Sequence, residues 1–108
     1  MTKYNFPNKD EFPRKKIEKF CRKWRIKEFA IFGSFWQDNY NEDSDIDVLI
    51  DFEDPKKYSL FDLTDMEEEL RSIFGREVDL VERRAVERSQ NYIRKNSILK
   101  SAKVIYGA

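Results

Sequence analysis

Residues 45–52 read Asp-Ile-Asp-Val-Leu-Ile-Asp-Phe, and this octapeptide decides how the chain folds. Its side chains alternate. Ile46, Val48, Ile50 and Phe52 fall on one side of an extended backbone, and Asp45, Asp47, Leu49 and Asp51 fall on the other. A period of two predicts a strand. Just upstream, Phe29 to Phe32 form a short apolar run that ends at Gly33, which predicts a second, buried strand. Ser34 to Gln37 can start a short helix, and the polar segment Asp38 to Ser44, with two Asn, reads as a loop.

Working outward on the N-terminal side, residues 1–12 read as a loosely held start, and Pro13 sits where a first helical turn would begin. Ile17, Phe20, Cys21 and Trp24 follow at helical spacing. On the C-terminal side, Pro55 and two lysines make a loop. Ser59 with Asp62 forms the pattern of a capping box, and Leu60, Leu63, Met66, Leu70 and Ile73 make a helical stripe closed by Gly75. Glu77 to Val81 is a third strand, with Val78 and Leu80 on the core side and Asp79 opposite. Arg83 to Lys103 is mostly helical and basic, and Val104 to Tyr106 closes the chain. The order predicts an α/β (α+β) fold, a small mixed β-sheet flanked by helices, formed by residues 1–108 as a single domain.

The composition narrows the chemistry. The 108 residues contain no histidine and one cysteine, so Ser-His-Asp and Cys-His catalysis, the usual zinc sites and an intrachain disulfide are all excluded. Cys21, on a helical stripe, reads as a packed thiol rather than a nucleophile. No apolar run reaches the roughly 18 residues of a membrane span, and the N-terminus has no apolar signal core, so the expected location is the cytoplasm, without membrane attachment. Net charge is zero, but the charges are segregated. Residues 1–28 hold ten basic and four acidic side chains, residues 35–55 hold eight acidic and no basic ones, and residues 82–108 hold seven basic and two acidic.

The acidic middle contains the candidate site. Asp45 and Asp47 stand two apart on one strand, so their carboxylates share a face about 7 Å apart along the chain. If the strand carrying Asp79 pairs beside them with Val78 and Leu80 inward, a third carboxylate joins that face. Clustered carboxylates repel one another unless they hold divalent cations. Magnesium prefers oxygen ligands and is shared between one or two protein carboxylates and substrate phosphates. Two such ions would clamp an in-line phosphoryl displacement. Gly33 and Ser34 lie where a strand gives way to a short helix. There a glycine lets backbone approach a phosphate, exposed N–H groups attract anions and the Ser34 hydroxyl can donate to a phosphate oxygen. Gly-Ser, ten residues, then Asp-x-Asp is a specific spacing when one strand precedes it and another follows.

Phe32-Gly33-Ser34 and Ser44-Asp45-Ile46-Asp47-Val48-Leu49-Ile50 resemble the signature of the DNA polymerase beta-like nucleotidyltransferases, and the chain is most similar to their small subgroup, the minimal nucleotidyltransferases or MNT proteins. Ser59–Leu63, Met66–Leu70, Gly75–Val81, Asn91–Arg94 and Ile98–Tyr106 extend the resemblance over nearly the whole chain. The resemblance implies roles. Gly33 and Ser34 would hold the triphosphate of an NTP, with ATP as the expected substrate. Asp45 and Asp47 would bind two Mg2+ ions, and Asp79 would complete one metal site and help deprotonate the attacking hydroxyl. It also implies a partner, a HEPN-domain ribonuclease toxin, neutralised by binding and by transfer of AMP to a toxin tyrosine. One departure stands out. Where family members commonly carry a pattern like Arg-Ala-Arg-Gly after Gly-Ser, this chain has Phe35-Trp36-Gln37-Asp38, without a basic residue. Phe35 and Trp36 read as core packing ahead of a nucleobase platform.

Two other functions compete. The chain could be an interaction module that neutralises a partner by contact alone, docking through the basic region Arg83 to Lys103. It could instead bind nucleic acid through its basic ends and Trp24, Tyr92 and Tyr106. The acidic centre and zero net charge weigh against the latter.

Overall fold

Strand β2 (Ile46–Phe52) runs through the middle of a four-stranded sheet. The structure, a computed structural model, describes residues 13–36 and 45–107, and the side chains of Ser34 and Trp36 lie outside that description, as do the N-terminal start and the 38–44 loop. The strand order is β3-β2-β1-β4, with β1 (Ile26–Phe32) antiparallel to β2, β3 (Val78–Glu82) parallel to β2, and β4 (Lys103–Tyr106) antiparallel to β1. The parallel pair needs a crossover, which α2 (Leu60–Phe74) provides.

The alternation read in β2 sorts residues onto two cores. Ile46, Val48, Ile50 and Phe52 face one side, where they meet Ile17, Phe20 and Cys21 of α1 (Arg14–Lys23) and Met66, Leu70 and Phe74 of α2. Leu49, on the other side, packs with Ala30 and Phe32 of β1, Val86 of α3 (Arg83–Glu87) and Ile98 of α4 (Tyr92–Ser101). Helices therefore cover both faces of a mixed sheet, in agreement with the expected fold class. Cys21 is buried, and burial followed by the charge of Glu18 pushes its thiol up to about 12. A thiol held neutral in this way is a packing group, not a nucleophile. Phe35 is buried in the larger core, which bears out its assignment to packing.

Helix α2 starts and stops as read. The Ser59 hydroxyl accepts from the Asp62 N–H while the Asp62 carboxylate accepts from the Ser59 N–H, and Gly75 closes the helix with φ +72°. With φ at +72°, Gly75→Ala should cost about 1 kcal/mol through backbone strain, and urea unfolding should show it as a lower midpoint at unchanged slope.

Two expectations need correction, at Leu60 and at Pro13. Leu60, the first residue of α2, is 80% exposed and leaves the stripe; Phe74 takes a buried place instead. The segment 83–103 is mostly helical, as read, and is divided into two helices at Arg88–Asn91, where the Asn91 side chain caps α4 by accepting from the Arg94 N–H at 3.1 Å. The chain then ends in a strand, with Lys103–Tyr106 paired to β1. Pro13 is the residue before α1 rather than its first turn.

Candidate active site

The register of β2 against β3 assembles the site. In the parallel ladder Asp47 stands directly opposite Asp79, one pair away from Ile46 and Val78, which both point into the core. The two carboxylates therefore share the face that carries Leu49. Across the antiparallel ladder, Phe32 is the partner of Asp47, so the next residue, Gly33, turns away at the side of that carboxylate. Asp45 lies one residue before the strand begins and is exposed.

Gly33 opens a short 3-10 turn, Gly33–Trp36, with φ +74°. A side chain here would collide with the acid: an added Cβ would stand 2.5 Å from Asp47 Oδ2. The glycine is required both by its backbone angle and by the close approach. Its N–H is not free, because it donates to Ser101 Oγ at 3.0 Å, while the Ser101 hydroxyl donates to the Ser97 carbonyl at 2.8 Å. Thus the last residue of α4 fixes the turn. The Gly33 amide serves as an anchor here, which leaves phosphate contact to the amides of the turn that follows, where the sequence reading puts it.

The sheet, the turn and α4 enclose an open cleft of about 510 Å3, whose walls include Gly33, Asp47, Asn91, Arg94 and Ser97. Burial, then the negative charges of Asp79 and Asp45, push the Asp47 carboxyl up to about 6, with Arg94 pulling the other way. The charges in this cleft are short of a cation. Among the described residues no group of three or more His, Cys, Asp and Glu is placed to hold a metal ion, so Asp45, Asp47 and Asp79 do not stand together as a complete ligand set; only Asp47 and Asp79 are paired. The donor set present, hard oxygens on an open face, suits an ion whose remaining ligands are water and substrate phosphate.

Sequence reading missed Arg94, Asn91 and Ser101 as parts of this cleft. All three come from α4, which meets the site only through the fold; the capping pattern Asn-x-x-Arg at the start of that helix was the available signal. Trp24 and Tyr106, read as material for stacking nucleobases, are partly buried against the core, and Trp24 Nε1 donates to Glu69 at 2.9 Å. Tyr92 alone of the three is well exposed. No described helix is long and apolar enough to cross a membrane.

Comparison with known proteins agrees with this geometry. The chain is 38% identical over 76 residues, 70% of its own length and 76% of the other's, to a candidate protein adenylyltransferase of Methanocaldococcus jannaschii. It superposes on a toxin–antitoxin crystal structure with AMP-PNP at a TM-score of 0.68 and 24% identity, covering 88% of this chain and 73% of that one. It also superposes on a chain from the complex of a tri-AMPylated Shewanella oneidensis HEPN toxin with an MNT antitoxin, at a TM-score of 0.62 and 22% identity, covering 89% and 71%. The nucleotidyltransferase domain family matches residues 13–105, a span that holds both strands of the acidic pair, the Gly33 turn and α4, and this chain belongs to that family.

Proposed function

We propose that this protein is an antitoxin adenylyltransferase that moves AMP from ATP to a hydroxyl, a tyrosine of a partner HEPN toxin, in the cytoplasm. The observation that carries this reading is the placement of Asp47 opposite Asp79 in the strand register, with Asp47 itself against the Gly33 turn on the wall of an open cleft. The named relative is a candidate protein adenylyltransferase, and the structural neighbours are toxin–antitoxin assemblies, one with an ATP analogue and one with an AMP-modified toxin.

The chemistry follows from the residues. Asp45, Asp47 and Asp79 would hold two Mg2+ ions, which when bound supply positive charge to the triphosphate and the acidic face. The amides after Gly33 and the hydroxyl of Ser34 would hold the phosphate chain. The acceptor oxygen bonds to the α-phosphorus, the bond from that phosphorus to the bridging oxygen of the β-phosphate breaks, and pyrophosphate leaves. Asp79, at the exposed edge strand, takes the proton of the attacking hydroxyl. Ile93, 86% exposed, also borders the cleft, and its neighbour Tyr92 is 68% exposed. Large apolar side chains at the mouth of a polar site fit a surface that the acceptor protein covers.

Incubation with magnesium and ATP labelled at the α-phosphate, with and without the HEPN protein, tests the assignment. Label should reach the toxin with wild type and not with Asp45→Asn, Asp47→Asn. Toxin neutralised by the double variant as well as by wild type, with no label on it in either case, would identify an interaction module instead.

A further inference from the structure

A triphosphate entering this cleft meets Asp47, with Asp79 opposite it on the next strand, and the segment after the Gly33 turn supplies no cation: residues 35–55 contain no Lys or Arg. Divalent ions offset the carboxylates, but a polyanion in a partly enclosed cleft also calls for protein charge of the opposite sign. Among the described residues Arg94 is the one basic residue in the wall of the cleft, and its basic neighbours Arg83 and Lys95 in the C-terminal region are already engaged. Arg83 pairs with Glu28 at 3.4 Å and with Glu87 at 3.0 Å. The Lys95 ammonium donates to the Glu87 carbonyl at 2.9 Å.

Arg94 is different. Its backbone is held in the first turn of α4 by the Asn91 cap, so its side chain starts from a fixed point. That side chain borders the cleft together with Gly33 and Asp47, and it is exposed. Among the described residues its guanidinium makes no ion pair within 4.0 Å. An unspent arginine across a cleft from a carboxylate pair and a glycine turn is placed for an anionic ligand, and its planar fork matches two phosphate oxygens at once. We propose that Arg94 binds the triphosphate of the incoming nucleotide, supplying from α4 the positive charge that the Phe35-Trp36-Gln37-Asp38 segment lacks. This assignment rests on the nucleotidyltransferase activity proposed above.

Calorimetric titration of the full-length protein with ATP and magnesium tests it, with wild type, Arg94→Gln and Arg94→Lys compared and α-label transfer run in parallel. Arg94→Gln should weaken ATP binding roughly 10- to 100-fold, the loss expected for a charged hydrogen-bond donor. Arg94→Lys should recover part of it, because the charge remains while the fork is lost. Both variants should melt within about 1–2 °C of wild type, since an exposed side chain without an internal partner is removed. Wild-type ATP affinity in Arg94→Gln, with label transfer intact, overturns the role of Arg94 alone. A loss that tracks a lowered melting temperature and that Lys does not relieve overturns it in favour of a structural role. A wild type that binds no ATP and transfers no label removes the enzyme and Arg94's part in it together.

Discussion

Asp47→Asn should abolish label transfer and, in the same molecule, make the metal-free protein more stable at pH 8. The Asp47 carboxyl is pushed up to about 6 by burial, then by Asp79 and Asp45, from an ordinary 3.8. With the folded value above the unfolded one, the unfolded chain releases its proton first as pH rises. The contribution of this group to stability is therefore complete below about pH 4 and is lost as pH climbs through about 6. A shift of this size corresponds to about 3 kcal/mol for a group sealed from water. For a half-buried group beside an open cleft, solvent screening reduces it to about 1 kcal/mol. Asn keeps the shape and removes the charge. In EDTA, wild type and Asp47→Asn should melt together near pH 4 and separate by several degrees at pH 8, the variant higher. Magnesium should raise the melting temperature of wild type and close the gap, because the ion stabilises only the charged site. Transfer should fall by at least about 1,000-fold. A variant that melts below wild type at pH 8 in EDTA would show that Asp47 is stabilised by its surroundings rather than strained by them.

The second large effect belongs to Gly33. Gly33→Ala confronts two separate obstacles: a backbone at φ +74°, and an Asp47 carboxylate oxygen 2.5 Å from the new methyl. The first costs about 1 kcal/mol. The second forces either the turn or Asp47 out of place, so the total should reach about 2 kcal/mol or more, with transfer reduced at least about 100-fold because a misplaced reacting group is costly. Asparagine separates the two causes. It tolerates a left-handed backbone, so Gly75→Asn should recover much of the loss seen in Gly75→Ala. Gly33→Asn should recover nothing, because the collision is with the first side-chain atom. Denaturant midpoints of the four variants, with label transfer for the two at Gly33, give the comparison; recovery in Gly33→Asn would mean that the contact with Asp47 is unimportant.

What could be read from the sequence divides along the range of the interactions involved. The β2 alternation, the Ser59–Asp62 cap and the Gly75 stop depend on neighbours a few residues apart, and each is present where the sequence puts it. The pairing of Asp47 with Asp79 was predictable because a single crossover helix leaves a parallel neighbour as the natural outcome, and the core residues Val78 and Leu80 set which way Asp79 turns. The edge strand β4 was not legible: four residues without strict alternation gain their form from β1, more than seventy positions upstream. The exposure of Leu60 likewise depends on what packs against the start of α2, which a helical stripe does not encode. The contribution of α4 to the site was hidden for the same reason, since nothing local in Asn91–Ser101 indicates that its two ends meet the cleft at Arg94 and at the Gly33 amide.

That last contact bears on when the protein becomes competent. Ser101 grips the Gly33 amide across 68 positions of sequence. The strands that carry the acids can pair as soon as β3 is made, but the turn beside them gains its final anchor only after α4 has been synthesised and has docked. During translation, the catalytic face is thus finished late: the strands that bear its acids exist before the helix that fixes the turn beside them.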